Sequence, residues 1–216
     1  MAAKTSSLGR GAVTAEGDDA DVSLRATRAP SERNWYSGDI DHVIVTGDEI
    51  QQKTAELAKQ VAADYAERDG VLLVGVLKGA FMFMADFARA FDKPVEIEFM
   101  AVSSYGQAAT SSGTVRILKD LDRDISDRHV IVIEDIVDSG LTLSWLLKYL
   151  TSRNAASVEV VALLRKPGAV KVDVRVKYLG FDIPNEFVVG YGLDYAERYR
   201  ELPFVAVLKP EVYART

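Results

Sequence analysis

The longest apolar run in the chain, Val71-Leu72-Leu73-Val74-Gly75-Val76-Leu77, has no polar interruption and predicts a strand covered on both faces. Lys78-Gly79 then reads as a tight turn and Ala80 to Phe91 as a helix. The same unit recurs where Val130-Ile131-Val132-Ile133 is followed by a helical pattern from Leu143 to Leu150, and Val158 to Leu164 supplies another strand. Repeated strand, turn and helix build a parallel sheet with right-handed crossovers, which brings the C-terminal ends of the strands to one edge. Upstream, Thr46-Gly47-Asp48-Glu49 has the spacing of a capping box. It should open a helix that turns Ile50, Leu57, Ala58, Val61 and Tyr65 to one face and stops near Gly70. Val95 to Val102 alternates as a half-exposed strand; Ser103 to Gly113 is small and polar before Thr114 to Leu118 resumes, a loop long enough for a lid. From Arg175 onward, short aromatic-rich strands and turns should form a smaller subdomain over the site. The expected fold class is α/β, a mostly parallel twisted sheet flanked by helices and topped by a small hood.

Composition narrows this picture. The chain has 216 residues, room for one sizeable core and little for two. Residues 1–36 are rich in Ala, Gly, Ser, Thr and Asp, with too little apolar surface to offset the entropy of ordering, so the catalytic domain is expected over 37–216 behind a disordered extension. A net charge of −6 with scattered basic residues excludes the footprint of a nucleic-acid binder. The absence of cysteine excludes thiolate chemistry, and His42 and His129 stand alone, so any metal would be oxygen-bound. Neither a long apolar run nor a secretory signal is present, and a soluble, cytoplasmic protein is expected.

Two adjacent acids, Glu134 and Asp135, end the Val130 to Ile133 run, and Asp138-Ser139-Gly140-Leu141-Thr142 leads from them into a helix. Asp138 or Ser139 could be a simple N-cap. A cap needs one side chain, however, whereas neighbouring carboxylates repel unless a cation or ligand hydroxyls engage them. Carboxylates for sugar hydroxyls, followed by helix-terminal amides for an anion, describe a sugar-phosphate site.

Val-Ile-Val-Ile-Glu-Asp-Ile-Val-Asp-Ser-Gly-Leu-Thr resembles the donor-binding signature of the type I phosphoribosyltransferases, in the form typical of their 6-oxopurine members. The likeness runs from about residue 38 to about 213. It implies transfer of a 5-phosphoribosyl group from phosphoribosyl pyrophosphate to hypoxanthine or guanine, with Mg2+, by a homodimer or homotetramer. It also implies roles. Glu134 and Asp135 would hold the ribose hydroxyls, directly or through magnesium. Ser139, Gly140, Leu141 and Thr142 would surround the 5-phosphate, and Asp138 would take the N7 proton of the purine. Lys78 and Gly79 would bind pyrophosphate through the backbone amides of a loop that often carries a cis peptide, joined by the guanidinium of Arg200. Lys166 would donate to the 6-oxo group, Phe187 stack on the base, Val188 read it through its backbone and Asp194 reach magnesium. Ser104 and Tyr105 would belong to a lid that excludes water.

Other readings compete. Adenine would present a donor to Lys166 and is disfavoured; xanthine stays open. A nucleotide-sensing regulator could keep the donor motif, but it lacks a basic patch here. A phosphorelay receiver would open with its acid-bearing strand, whereas this pair lies past the midpoint.

Overall fold

Thr46 caps the first helix, α1 (Gly47–Asp64), as the spacing predicts: its amide donates to Glu49 Oε2 at 2.8 Å and Glu49 N donates to Thr46 Oγ1 at 3.3 Å. Such a cap contributes about 1 kcal/mol. Ile50, Leu57, Ala58 and Val61 are buried along one face, joined by Thr54, and the helix ends sooner than Gly70 suggests. The computed structural model describes residues 34–104 and 115–214. The extension expected over 1–36 lies almost wholly outside the described residues, as does Tyr105 of the expected lid; of Ser104 only the backbone is described.

Behind α1 follow β2 (Val71–Leu77), α2 (Phe81–Ala90), β3 (Glu96–Ser104), β4 (Val115–Lys119), β5 (His129–Val137), α3 (Leu141–Ser152), β6 (Ser157–Arg165) and β7 (Tyr178–Asp182). They form a six-stranded sheet in the order β4-β3-β2-β5-β6-β7, parallel except for the β3/β4 pair. Strand β2 has the predicted bounds because its apolar run is bracketed by turn residues. Its side chains feed two cores. Leu73 packs with Phe83, Met84 and Phe87 of α2 and with α1 on one face. Leu72 and Val74 pack with Leu143, Leu146 and Leu150 of α3 on the other. A sheet covered on both faces gives its solvent-facing chemistry only at strand ends, so the C-terminal edge becomes the place for a site.

Three expectations need correction. Strand β5 does not stop at Ile133 but runs on to Val137, because Glu134 and Ile136 pair with Ala162 and Leu164 of β6. Strand β7 joins the main sheet beside β6 instead of the hood. The hood is a separate antiparallel sheet, β1 (Ile40–Val45), β9 (Val205–Leu208) and β8 (Val188–Val189), so its first strand comes from before α1. A short α4 (Pro210–Tyr213) follows β9. Among the described residues, those from Tyr36 onward form one compact unit. No helix among them is long and apolar enough to cross a membrane.

Candidate active site

Two clefts open at the C-terminal edge of the sheet and share Gly79, Asp135, Ile136 and Asp138. The first, about 270 Å³, is walled by Glu134, Asp135, Asp138, Ser139, Gly140 and Thr142. The second, about 370 Å³, is walled by Lys78, Lys166, Phe187, Val188, Asp194 and Arg200. The residues expected from the sequence therefore converge, with one exception among those whose side chains are described: Leu141 begins α3 without lining either cleft.

The phosphate loop is built as an anion site. Gly140 is the N-cap of α3 at φ 78° and brings no capping side chain, while Ser139 Oγ accepts from the Leu141 amide at a long 3.4 Å. Only glycine takes that conformation without strain, and the arrangement leaves the first amides of a twelve-residue helix pointing from its positive end. Asp138 is thus not the N-cap that the blander reading allowed. The loop is also braced from behind, where the amides of Lys171 and Val172 donate to Ser139 O at 3.0 and 3.2 Å.

Glu134 is buried within β5, and its Oε2 has no hydrogen-bond partner among the described residues. Loss of hydration, with the charge of Asp135 beside it, holds the Glu134 carboxyl well above the usual range. Burial likewise pushes Asp135 up to about 6, against the backbone hydrogen bond from Ile136 and the charge of Arg200, which pull it down. Both folded-state values lie above those of the unfolded chain, so the folded protein keeps protons that the unfolded chain releases. Stability contributed below the ordinary value of 3.8 is lost for Asp135 as the pH rises through about 6, and that of Glu134 is lost as the pH rises above its ordinary 4.5. Glu134→Gln should therefore raise the thermal midpoint of the ligand-free protein near neutral pH by about 3 °C or more, and flatten its decline with pH. Differential scanning fluorimetry across the neutral range measures this. A lower midpoint for the variant would show that the carboxylate is satisfied in the fold.

The turn after β2 meets Asp135 directly. A Cβ on Gly79 would overlap the Asp135 carboxylate, so a side chain there cannot coexist with the acid pair. The Leu77–Lys78 peptide is cis, in the loop where the family resemblance implies one. Across the cleft, Arg200 donates from Nη1 to Gly192 O at 2.7 Å and pairs through Nη2 with Asp194 Oδ1 at 2.8 Å. Its Nε is buried and without a partner among the described residues.

Lys166 sits just past β6, held by its amide to Val137 O at 2.9 Å. Its side chain is 8% exposed and lines the second cleft. Its neighbour Arg165, also a cationic donor, is committed elsewhere: Nε and Nη2 donate to the two carboxylate oxygens of Asp182 at 2.7 and 2.9 Å. Phe187 is 39% exposed, stacked on Tyr213 with ring centroids 5.1 Å apart, a large apolar face at the mouth of the same cleft.

Residues 44–196 match the phosphoribosyl transferase domain family. The chain belongs to the phosphoribosyltransferases. It is 57% identical over 183 residues to a hypoxanthine-guanine phosphoribosyltransferase of Mycobacterium tuberculosis, covering 82% of this chain and 91% of that one. Against the Bacillus subtilis enzyme of the same name it is 50% identical over 175 residues, 81% of this chain and 97% of the relative. Among solved structures, a hypoxanthine phosphoribosyltransferase from Staphylococcus aureus superposes with a TM-score of 0.81 at 44% identity, covering 85% of this chain and 99% of the other. The six-stranded, mostly parallel sheet and its hood are thus the architecture of a type I phosphoribosyltransferase.

One residue of this phosphoribosyltransferase site was not singled out from sequence. Glu197, between Asp194 and Arg200, accepts from Lys78 Nζ at 2.9 Å across the cleft. An acid three residues from each of two expected ligand contacts was the available signal, but a glutamate in a polar turn is ordinary enough to pass unnoticed.

Proposed function

We infer that the chain is a purine-salvage transferase that moves the 5-phosphoribosyl group of phosphoribosyl pyrophosphate onto N9 of hypoxanthine or guanine, releasing pyrophosphate. The observation that carries this reading is the pair of buried, unpartnered polar atoms at one sheet edge, Glu134 Oε2 and Arg200 Nε. Burying such groups costs free energy unless a ligand satisfies them, and here one is an acceptor and the other a donor. A sugar hydroxyl suits the first and a phosphate oxygen the second.

The roles follow from position. Ser139, Gly140 and Thr142 receive the 5-phosphate at the amides of α3, with Leu141 contributing through its backbone. Glu134 and Asp135 accept from the ribose hydroxyls, while Lys78, Gly79 and Arg200 grip the diphosphate. Lys166 donates to the 6-oxo group, Phe187 covers one face of the base, and Val188 flanks it. Asp138 borders both clefts, where the base and ribose must meet, and it accepts the N7 proton as N9 bonds to C1 and the diphosphate departs. The lid containing Ser104 and Tyr105 belongs to the same reading.

Among the described residues no three His, Asp or Glu side chains lie close enough to cage a metal. Magnesium suits such a site nonetheless, because it commonly keeps waters and binds through one or two carboxylates plus the phosphates of its substrate. Glu134 and Asp135 fit that donor set. Asp194 has both oxygens engaged, by Arg200 and by the amide of Glu197, and would serve by sharing them. When bound, the ion spreads the charge of the leaving diphosphate.

The direct test incubates the protein with magnesium, phosphoribosyl pyrophosphate and each of hypoxanthine, guanine, xanthine and adenine. Monophosphate is expected from the first two. Product from adenine alone, or from none, would overturn the assignment. Assembly as a dimer or tetramer of identical chains is part of the proposal and is read by analytical ultracentrifugation.

A further inference from the structure

Phe187, which the proposed reaction places against the base, is itself held by other rings. Tyr213 on α4 stacks on it with centroids 5.1 Å apart and planes 30° apart, and Tyr195 meets it edge-on at 5.7 Å and 89°. Phe187 stays 39% exposed and lines the second cleft, whereas Tyr213 lines neither cleft. Tyr213 and Tyr195 pack in turn on the buried Val189, Tyr199, Leu202 and Leu208 of the hood. Backbone pairing brings α4 to this place. Leu208 N donates to Phe187 O at 3.0 Å, so β9 delivers the chain beside Phe187. Lys209, the N-cap of α4, is then tied to the segment before β1 by its amide to Asp39 O and by Nζ to Gly38 O, both at 2.9 Å. An aromatic column thus runs from the hood core to the cleft, with Phe187 at its outer end.

We propose that Tyr213 is a positioning residue for the purine: its ring fixes one face of Phe187, so that the exposed remainder of the phenyl ring meets the base already in place. This rests on the reading of Phe187 as the residue that covers the base. An exposed phenylalanine without a neighbour under it turns about its side-chain bonds, and stopping that motion when the base arrives costs affinity. With Tyr213 beneath it, the ring is ordered beforehand. Stacking on the base is present before the reaction and through its transition state alike, so the contribution belongs to KM for the purine and not to kcat. The contacts proposed for the 5-phosphate and the diphosphate lie on other elements, and donor binding is spared.

The experiment is steady-state kinetics of the full chain with hypoxanthine and phosphoribosyl pyrophosphate varied in turn. Tyr213→Ala and Tyr213→Leu should raise KM for hypoxanthine about two- to tenfold, with kcat and KM for the donor within about twofold of the parent. Tyr213→Phe, which keeps the ring and drops only the hydroxyl, should restore KM. In a Phe187→Leu background Tyr213→Ala should cost little more, because the ring it supports is gone. An unchanged KM for hypoxanthine in Tyr213→Leu, equal rises for base and donor, a phenylalanine variant as weak as the leucine one, or full additivity with Phe187→Leu would each overturn the proposal. Leucine keeps apolar bulk against the hood, so that variant decides the matter if the alanine variant melts below the assay temperature. If the parent makes no monophosphate from hypoxanthine, the assignment of Phe187 fails first and the inference with it.

Discussion

Asp138→Asn should lower turnover by about 10²- to 10⁴-fold while leaving affinity for phosphoribosyl pyrophosphate within about threefold. The amide keeps the shape of the carboxylate but cannot accept the N7 proton, so the defect should appear in kcat and not in donor binding. The fold makes this a clean substitution. Asp138 is exposed, Gly140 is the N-cap of α3, and the side chain that accepts from its first amide is that of Ser139, so the substitution removes no cap and the thermal midpoint should barely move. An N-cap role would instead cost about 1 kcal/mol of stability and spare catalysis. Single-turnover kinetics beside a melting curve separates the two. Asp138 is exposed where it borders both clefts. On the proposed reaction, the bound base would have to shield Asp138 from water.

Lys166→Ala carries the second large effect. Lys166 is 8% exposed as a residue and lines the second cleft, and its ammonium has no hydrogen-bond or ion-pair partner among the described residues, which leaves it open to an acceptor on a ligand there. A hydrogen bond from a charged donor contributes about 1.5–3 kcal/mol, which predicts a loss of roughly 10- to 150-fold in kcat/KM for guanine and hypoxanthine. Affinity for the donor should change by no more than about threefold, because the diphosphate and ribose contacts lie on other elements. Steady-state kinetics with each substrate varied in turn tests it. Equal losses for base and donor would move Lys166 out of the purine site.

Much of this was legible in the chain because local physics decided it. The uninterrupted Val71 to Leu77 run defined β2, and the Thr46 to Glu49 spacing defined the start of α1. What escaped depended on partners distant in sequence. Strand β5 carries Glu134 and Asp135 inside the sheet because Glu134 and Ile136, on either side of Asp135, pair with β6, whereas two acids after four apolar residues look like a strand end. The hood escaped for the same reason: β1 pairs with β9, with Ile40 opposite Leu208. Strand β7 reads as aromatic and turn-rich, and only its pairing with β6 draws it into the main sheet. At the site, the acid pair and phosphate loop could be argued from chemistry alone. Lys78, Lys166 and Phe187 could not, since a lysine after a strand or an aromatic before a Val-Val pair is ordinary structure; only the family resemblance singled them out. Side-chain chemistry alone does not choose between Arg165 and Lys166; the family resemblance points to Lys166, and in the fold Arg165 pairs with Asp182.

The central claim is that the carboxylates of β5 and the amides of α3 embrace an activated pentose. It is tested most directly by titrating phosphoribosyl pyrophosphate, with magnesium and no purine, into the folded protein in a calorimeter. Saturable uptake of one donor per chain, weakened in Glu134→Gln, is the predicted result. No uptake by protein that melts cooperatively would contradict it.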